Sequence, residues 1–324
     1  MSRRLLVIDS DPGVDDAIAL LVAAASPEVE LLAVTTVFGN VPVEQTTDNA
    51  LRVLALAGDG GVPVAAGAEH PLVHPQPPRV HPYRHGANGL GDVELPSARR
   101  RVEPTPAVPF LAQLLRATPS RVTVCAIGPL TNIALLIVSD PVAAQRLERL
   151  VVMGGAYGGG ELISAAEFNI RSDPEAAQRV LSSGLPITVV GLDVTRTSSM
   201  DAAAVARIEA SGPVGAAAAA MLADSFDLHA RVHEGAGVVV HDALAVLEAI
   251  IPGILETVAR PVSVDCGHGP GRGMTLVDRR PASGSGSDCG ARSISAGLPV
   301  RVAESVDVPR ALSEIEARLC SYGR

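Results

Sequence analysis

Residues 5–21 read LLVIDSDPGVDDAIALL, and this stretch decides the fold and points to the chemistry of the chain. The four apolar residues at its start are typical of a buried strand, and the apolar residues after Asp16 continue as a helix. The stretch therefore predicts a strand that leads directly into a helix. Four carboxylates lie at the junction: Asp9, Asp11, Asp15 and Asp16.

These four aspartates predict a metal site. Like charges repel strongly where water is scarce, and no lysine or arginine lies within the stretch to balance them. Calcium and magnesium ions prefer oxygen ligands such as carboxylates. A simpler interpretation is that Asp15 or Asp16 caps the helix, but it explains only one or two of the four acids.

Composition limits the class of protein. The 324 residues suffice for one large or two ordinary domains, and no linker, repeat or shift in composition divides them, so a single domain over residues 1–324 is predicted. All 26 basic residues are arginine, which excludes a Walker-A, Schiff-base or phosphate-clamping lysine. The net charge of -9 and the dispersed arginines argue against binding to nucleic acid.

The chain is expected to be cytoplasmic. It shows no signal-peptide pattern and no apolar run long enough to span a bilayer, so no membrane association is expected. Scattered cysteines without a Cys-x-x-Cys pair are typical of reduced thiols, and these are Cys125, Cys266, Cys289 and Cys320.

Apolar runs that alternate with helical patterns predict an α/β fold. The apolar runs are residues 4–8, 31–37, 122–127, 149–153 and 187–192. The predicted helices are residues 16–25, 43–58, 130–138, 173–183 and 241–250. This order favours an open, mostly parallel sheet with helices on both faces, in which ligands bind beyond the carboxyl ends of the strands. The polar residues expected to share that crevice are Asp9, Asp11, Asn40, Thr131, Asn132 and Asn169.

Two segments interrupt the alternation. Residues 70–92 are rich in proline and histidine, which argues against regular helix or strand and favours a long loop, a candidate lid. Residues 266–292 are rich in glycine, serine and proline around a short apolar run, which predicts loops or a hairpin.

Four further short motifs have both a functional and a simpler interpretation. Residues 39–40 (GN) and 128–132 (GPLTN) are also plain turns, with Thr131 as a helix cap. Residues 167–169 (EFN) suit a polyhydroxylated ligand, but also describe surface residues near a helix start. Residues 241–242 (HD) suit acid–base chemistry beside a metal, but also describe a plain aspartate cap with a satisfied histidine.

Taken together, the motifs resemble those of the inosine-uridine-preferring nucleoside hydrolases. The matching stretches follow in order along almost the whole chain: 9–17 (DSDPGVDDA), 35–40 (TTVFGN), 128–132 (GPLTN), 153–155 (MGG), 167–169 (EFN), 191–195 (GLDVT), 241–242 (HD) and 273–275 (GMT) with Asp278. The resemblance implies a Rossmann-like fold and calcium-dependent hydrolysis of ribonucleosides to ribose and free base. It also implies a homo-oligomer, a dimer or a tetramer, that serves nucleoside salvage or catabolism.

The resemblance also implies a role for each motif residue. Calcium would be held by Asp11, Asp16, Asp242 and the carbonyl of Thr131, with Asp11 as the base that activates water and Asp9 as a residue that orients the site. His241 would protonate the departing base, with His85 nearby. The remaining substrate-binding residues would be Asp15, Asn40, Met153, Glu161, Glu167, Phe168, Asn169, His229 and His233.

The chain departs from the family pattern at two places. Glu161 stands where relatives have an asparagine near the 5′ end of the ribose, and Ser164 is a candidate to compensate. Near the base, where relatives often have a tyrosine, this chain offers Phe226, His229 and His233, and without tryptophan the purine-specific subtype is disfavoured.

Two alternative functions follow. Glu161 favours a catalytically altered relative that binds ribosides as a sensor or scaffold, or that acts on a modified riboside. A strand followed by Asp-x-Asp also opens HAD-type phosphohydrolases, but these need a basic phosphate clamp, usually a lysine, which this chain lacks.

Overall fold

The computed structural model describes residues 3–75, 85–161, 163–232, 237–280 and 298–323. Its strands are β1 Arg4–Ser10, β2 Val29–Thr36, β3 Val64–Ala66, β4 Val122–Ala126, β5 Leu147–Met153, β6 Ile187–Val190, β7 Ser199–Met200, β8 Val238–Val239, β9 Leu255–Val264, β10 Thr275–Val277 and β11 Pro299–Val306. Its helices are α1 Val14–Ala24, α2 Val43–Leu56, α3 Ala107–Ala117, α4 Thr131–Ser139, α5 Pro141–Ala144, α6 Phe168–Ser172, α7 Pro174–Leu181, α8 Leu192–Thr195, α9 Ala202–Glu209, α10 Pro213–Val232, α11 His241–Ile250 and α12 Val308–Cys320, with a 3-10 turn at Ser321–Gly323.

One nine-stranded sheet forms the centre of the molecule, in the order β10-β9-β11-β6-β5-β4-β1-β2-β3. The strands from β11 to β3 in this order are parallel to their neighbours. At one edge, β9 and β10 are added in antiparallel orientation. The predicted open, mostly parallel sheet is therefore confirmed.

Apolar cores lie on the two faces of the sheet. Successive side chains of a strand point to opposite faces, and β1 shows the division, because Leu6 and Ile8 pack into one cluster and Val7 into the other. Helices α1, α10 and α11 cover the first cluster, and α3, α4 and α7 cover the second. The predicted helices on both faces are thus confirmed.

The sequence pattern predicts the central elements better than the edge. All five predicted apolar runs lie in strands, and all five predicted helices form, within a few residues of their predicted ends. It gives no sign of β9 and β11, in which exposed and buried residues are mixed so that no continuous apolar run marks them. The first part of residues 266–292 supplies the loop and one strand of a hairpin, since β10 pairs antiparallel with the end of β9, which precedes the segment. Residues 281–297 lie outside the described residues.

The carboxyl ends of β1, β2 and β4 lie level with one another. Asp9 is paired with Thr35 on one side and with Ala126 on the other. The loops that follow these strands are therefore neighbours, and they carry the predicted site residues. Residues 70–75 and 85–92 contain neither helix nor strand, and the rest of the candidate lid lies outside the described residues. No helix in the described ranges is long and apolar enough to cross a membrane.

Candidate active site

Asp11 and Asp16 lie together in the turn between β1 and α1. Asp16 Oδ1 accepts hydrogen bonds from the Ser10 hydroxyl at 2.6 Å and the Asp11 N–H at 3.3 Å, and Oδ2 accepts from the Gly13 N–H at 3.1 Å. The Asn40 N–H donates to Asp11 Oδ2 at 2.7 Å, and its amide donates to Asp16 Oδ2 at 3.1 Å. Asp16 therefore does bond to the start of the helix, as the simpler interpretation requires, while it also lies beside Asp11.

Two glycines make room for the carboxylate of Asp11. A Cβ atom at Gly39 would lie 1.9 Å from Asp11 Oδ2, and one at Gly128 would lie 2.6 Å from Oδ1. Among the described residues, Asp11 Oδ1 is a buried oxygen without a hydrogen-bond partner. Buried polar atoms without partners are costly and rare, so this oxygen fits a role in holding a cation or a ligand.

Asp9 connects three elements of the fold. It is fully buried, and its Oδ1 accepts from the Thr35 hydroxyl at 2.5 Å and the Asn132 amide at 2.8 Å. Asn132 in turn accepts from the Ala68 N–H at 2.9 Å. Burial raises the pKa of Asp9 to about 6. Asp9 is thus placed to fix the ends of β1 and β2 against α4.

Thr131 is the first residue of α4, but its hydroxyl does not cap that helix. The hydroxyl donates to Asp173 Oδ2 at 2.7 Å, and the same oxygen accepts from the Leu72 N–H at 2.9 Å. Asp173 is buried, and its other oxygen caps α7 by accepting from the Ala176 N–H at 3.1 Å. The helix-cap interpretation of Thr131 is wrong, because the side chain is bonded to the start of another helix.

Glu167 and Asn169 are buried at the start of α6. Glu167 Oε1 accepts from the Asn169 N–H at 2.7 Å, and Oε2 accepts from the Gly155 N–H at 3.0 Å. The Asn169 amide donates to the carbonyls of Ile127 at 2.9 Å and Met153 at 3.1 Å. Exposed fractions of 1% for Glu167 and 4% for Asn169 show that the surface interpretation is wrong, although Glu167 does cap the helix.

Glu161 lies near Glu167. Its Oε1 accepts from the Phe168 N–H at 3.3 Å, so carboxylates of both glutamates bond to the first residues of α6. Burial and then the charge of Glu161 raise the pKa of Glu167 to about 7. Glu161 and Phe168 are half-buried, whereas Ser164 is exposed in the loop between them.

His241 and Asp242 open α11 next to the start of α1. The Asp242 N–H donates to Asp15 Oδ2 at 3.2 Å, and Val240, not Asp242, precedes the first turn. Nδ1 of His241 lies 2.7 Å from the hydroxyl of Thr195, the last residue of α8. The interpretation of Asp242 as a plain cap is therefore wrong, and residues of α1, α8 and α11 meet here.

His85 lies over the first residues of α1. Its Nδ1 accepts from the Val14 N–H at 3.1 Å. A Cβ atom at Gly13 would lie 2.7 Å from the Asn40 amide and 2.9 Å from His85 Nδ1, so only glycine fits between these two side chains. His233 and the side chains of Phe226 and His229 lie outside the described residues.

The carboxylates of the site raise one another's pKa. Burial and then the charge of Asp16 raise the pKa of Asp11 well above its ordinary value. Burial, followed by the charges of Asp15, Asp16, Asp11 and Glu167, does the same for Asp242. The acids are therefore close enough to share a counter-charge.

A divalent cation fits this donor set in chemistry, since it would relieve the repulsion and use the partnerless oxygen of Asp11. Within the described ranges, however, no group of three or more His, Cys, Asp or Glu side chains is arranged to hold a metal ion by itself. A cation here would need backbone, water or substrate oxygens to complete its ligands.

Comparison with known proteins decides the family. The sequence profile of the inosine-uridine preferring nucleoside hydrolases matches residues 6–313. The chain belongs to this family. It is thus an N-glycosyl hydrolase of the ribonucleoside hydrolase class, a class that breaks nucleosides down, as the resemblance in its motifs implied.

The relatives of this nucleoside hydrolase are named for different nucleosides or classes of base. Uridine nucleosidase 1 of Arabidopsis thaliana is 37% identical over 316 residues, which cover 97% of this chain and 92% of the relative. Pyrimidine-specific ribonucleoside hydrolase RihA of Citrobacter koseri is 39% identical over 275 residues, which cover 84% of this chain and 88% of the relative. The solved structure of the purine-preferring ribonucleoside hydrolase from Gardnerella vaginalis superposes with a TM-score of 0.89 at 32% identity, covering 99% of both chains.

The structure of this nucleoside hydrolase also brings in residues that the sequence reading did not assign. Asp173 accepts a hydrogen bond from the Thr131 hydroxyl, and Thr195 contacts His241. Gly39 and Gly128 leave room for the carboxylate of Asp11. For Thr195 the only signal in the sequence is its place in the 191–195 motif. None of these contacts joins residues that are near in sequence, so spacing alone does not reveal them.

Proposed function

We propose that this nucleoside hydrolase is calcium-dependent and that it cleaves the N-glycosidic bond of ribonucleosides to give ribose and the free base. The observation that carries the proposal is the buried, partnerless Oδ1 of Asp11, set among acids whose pKa values are raised. Burial of like charges without a cation lowers the free energy of unfolding. Such a group therefore indicates a functional site and not a contribution to stability.

Asp11, Asp16, Asp242 and the carbonyl of Thr131 are the residues that would hold calcium. A bound calcium ion supplies Lewis acidity and a fixed anchor for water and ribose oxygens. Asp11 would accept the proton of the attacking water at Oδ1, since its Oδ2 is already bonded to the Asn40 N–H. Asp9 would hold the ends of the strands that carry this group in place.

The sugar would be bound by the acids and amides around Asp11. Asp15, Asn40, Glu167 and Asn169 are the candidates to bond its hydroxyls, with Met153 and Phe168 as neighbours. Cleavage of an N-glycosidic bond builds positive charge on the ribose. Carboxylates held nearby in a buried site would favour that charge over the neutral ground state.

The base would leave on the side of His241. A departing base gains negative charge, which a proton or hydrogen-bond donor neutralises. His241 is fixed at the start of α11 by the hydroxyl of Thr195, and His85 bonds to the start of α1. His241 is the proposed donor, with His85, His229 and His233 as candidates to contact the base. Uridine is the first substrate to test, because two relatives are named for uridine or pyrimidine.

The test measures release of reducing sugar from inosine, uridine, cytidine and adenosine, with calcium and after chelation. We expect turnover of at least one nucleoside that chelation abolishes and added calcium restores. Asp11→Asn should lose turnover by about a thousandfold or more, as expected when a general base is removed. Asp48→Asn is the matched control, because Asp48 pairs with Arg52 on the exposed side of α2.

Three outcomes would contradict parts of the proposal. Turnover that survives chelation would remove calcium from the mechanism. Near-normal turnover of Asp11→Asn with calcium still bound would remove Asp11 as the base. Binding of ribosides and calcium without any turnover would favour the alternative of a sensor or scaffold. The homo-oligomeric state and the cytoplasmic location stay predictions from the sequence.

A further inference from the structure

Helix α8 joins the two ends of the candidate site. Its first residue, Leu192, donates its N–H to the carbonyl of Gly155 at 2.9 Å, and Asp193 accepts from the N–H groups of Tyr157 at 2.9 Å and Gly158 at 2.7 Å. These bonds fix α8 to the loop that leads from β5 to Glu161. Its last residue, Thr195, reaches the opposite end of the site, where α11 begins.

The contact between Thr195 and His241 is short and partly buried. The Thr195 hydroxyl lies 2.7 Å from Nδ1 of His241, and Thr195 is 0% exposed. Just beyond, the Val240 N–H donates to the carbonyl of Ser198 at 3.3 Å, and strand β7 pairs with β8. The backbone on both sides of the contact is therefore fixed, so the hydroxyl and the ring have few other arrangements.

We propose that Thr195 is a positioning residue for His241. Its hydroxyl holds Nδ1, which sets the rotation of the imidazole ring and assigns Nε2 to the departing base. A ring nitrogen that is tied to a fixed partner determines which nitrogen does the chemistry. This proposal rests on the proposed function in one respect, namely that His241 serves the leaving group.

Thr195→Val keeps the shape of the side chain and removes the hydroxyl. We expect kcat for uridine and inosine to fall about ten- to a hundredfold, part of the contribution of a well-placed general acid. KM should change little, since the contact that is lost is with His241 and not with a residue proposed to bind the sugar. For 4-nitrophenyl riboside, whose leaving group needs no proton, kcat should stay near the wild-type value.

Two variants are controls. Thr195→Ser retains a hydroxyl and should restore most of kcat for nucleosides. Thr197→Val removes a hydroxyl from the same segment that, among the described residues, bonds to the nearby carbonyl of Val194 at 2.7 Å, and it should behave as wild type. Equal losses on nucleosides and on the nitrophenyl riboside would overturn the proposal, as would failure of Thr195→Ser to recover.

A second measurement separates this proposal from the proposed function. Long-range ¹H–¹⁵N spectra of the histidine rings report which nitrogen carries the proton, with His241 assigned by comparison with His241→Ala. We expect Thr195→Val, but not Thr197→Val, to shift the His241 nitrogens. If the wild type cleaves no nucleoside, the proposed function is wrong, but a shift of the His241 ring nitrogens in Thr195→Val still supports the proposal that Thr195 positions this ring. Unchanged ring nitrogens in Thr195→Val would overturn that hold whatever the activity.

Discussion

Removal of the charge of Glu161 should move the pH dependence of turnover to lower pH. Glu167 accepts backbone hydrogen bonds with both oxygens, and its pKa of about 7 is raised first by burial and then by Glu161. Glu161→Gln removes the second cause but leaves the first. The side-chain oxygen of glutamine can still accept a hydrogen bond from the Phe168 N–H, so the loop between residues 161 and 168 should keep its conformation.

The size of the effect follows from the ionised fraction of Glu167. With a pKa of about 7, roughly one tenth of Glu167 is ionised at about pH 6. Loss of a neighbouring like charge lowers a pKa by about one unit, which brings the ionised fraction at that pH to about one half. If the ionised form binds the ribose, kcat/KM near pH 6 should rise about fivefold and stay almost unchanged near pH 8.

The assay is the pH profile of kcat/KM for the best nucleoside substrate at saturating calcium. If calcium binds as proposed, it keeps its carboxylate ligands ionised, so the acidic limb reports the remaining groups. Glu161→Asp retains the charge and should keep the limb closer to wild type. An acidic limb of Glu161→Gln that stays in place, or that moves to higher pH, would refute the reasoning about this pair of acids.

Three further predictions concern the stability of the metal-free protein, an ion pair in the core and the glycine that packs against Asp11. Because burial raises the pKa of Asp9 to about 6 and that of Asp11 well above its ordinary value, the native state binds more protons than the unfolded chain; denaturant titrations should show the free energy of unfolding rising as the pH falls through about 6 toward 3.8, the ordinary pKa of these groups, and calcium should flatten this trend. Arg149→Met leaves the buried carboxylate of Glu248, 2.8 Å away, without its cationic partner, although the N–H groups of Gly253 and Leu255 still donate to it, so calorimetry should show a loss of about 3–5 kcal/mol, and an unchanged Tm would contradict this. Gly39→Ala should weaken calcium binding and turnover with a native circular dichroism spectrum, because its Cβ would lie 1.9 Å from Asp11 Oδ2; wild-type calcium affinity would show that Asp11 can move freely.

Much of the site could be predicted from the sequence because its parts are local. The four aspartates from the end of β1 to the first turn of α1 lie within eight residues of the chain, and their mutual repulsion is evident without a structure. The other polar motifs follow buried strands, and the ends of parallel strands meet at one edge of the sheet. The simpler interpretations of Thr131 and Asp242 as helix caps are wrong. The Thr131 hydroxyl bonds to Asp173 and the Asp242 N–H bonds to Asp15, and both partners lie in distant elements.

The sequence by itself determined the succession of the central strands and helices along the chain, the mostly parallel sheet and the place of the acids, because burial imposes a period on apolar residues and like charges stand out locally. The tertiary structure alone decided which distant groups meet. Asp242 and Asp15 are 227 residues apart, and Thr195 and His241 are 46 apart. Such contacts depend on the order of the strands within the sheet and on how the ends of the helices pack above them. Neither the sheet order nor this packing produces a periodic pattern or a fixed spacing in the sequence.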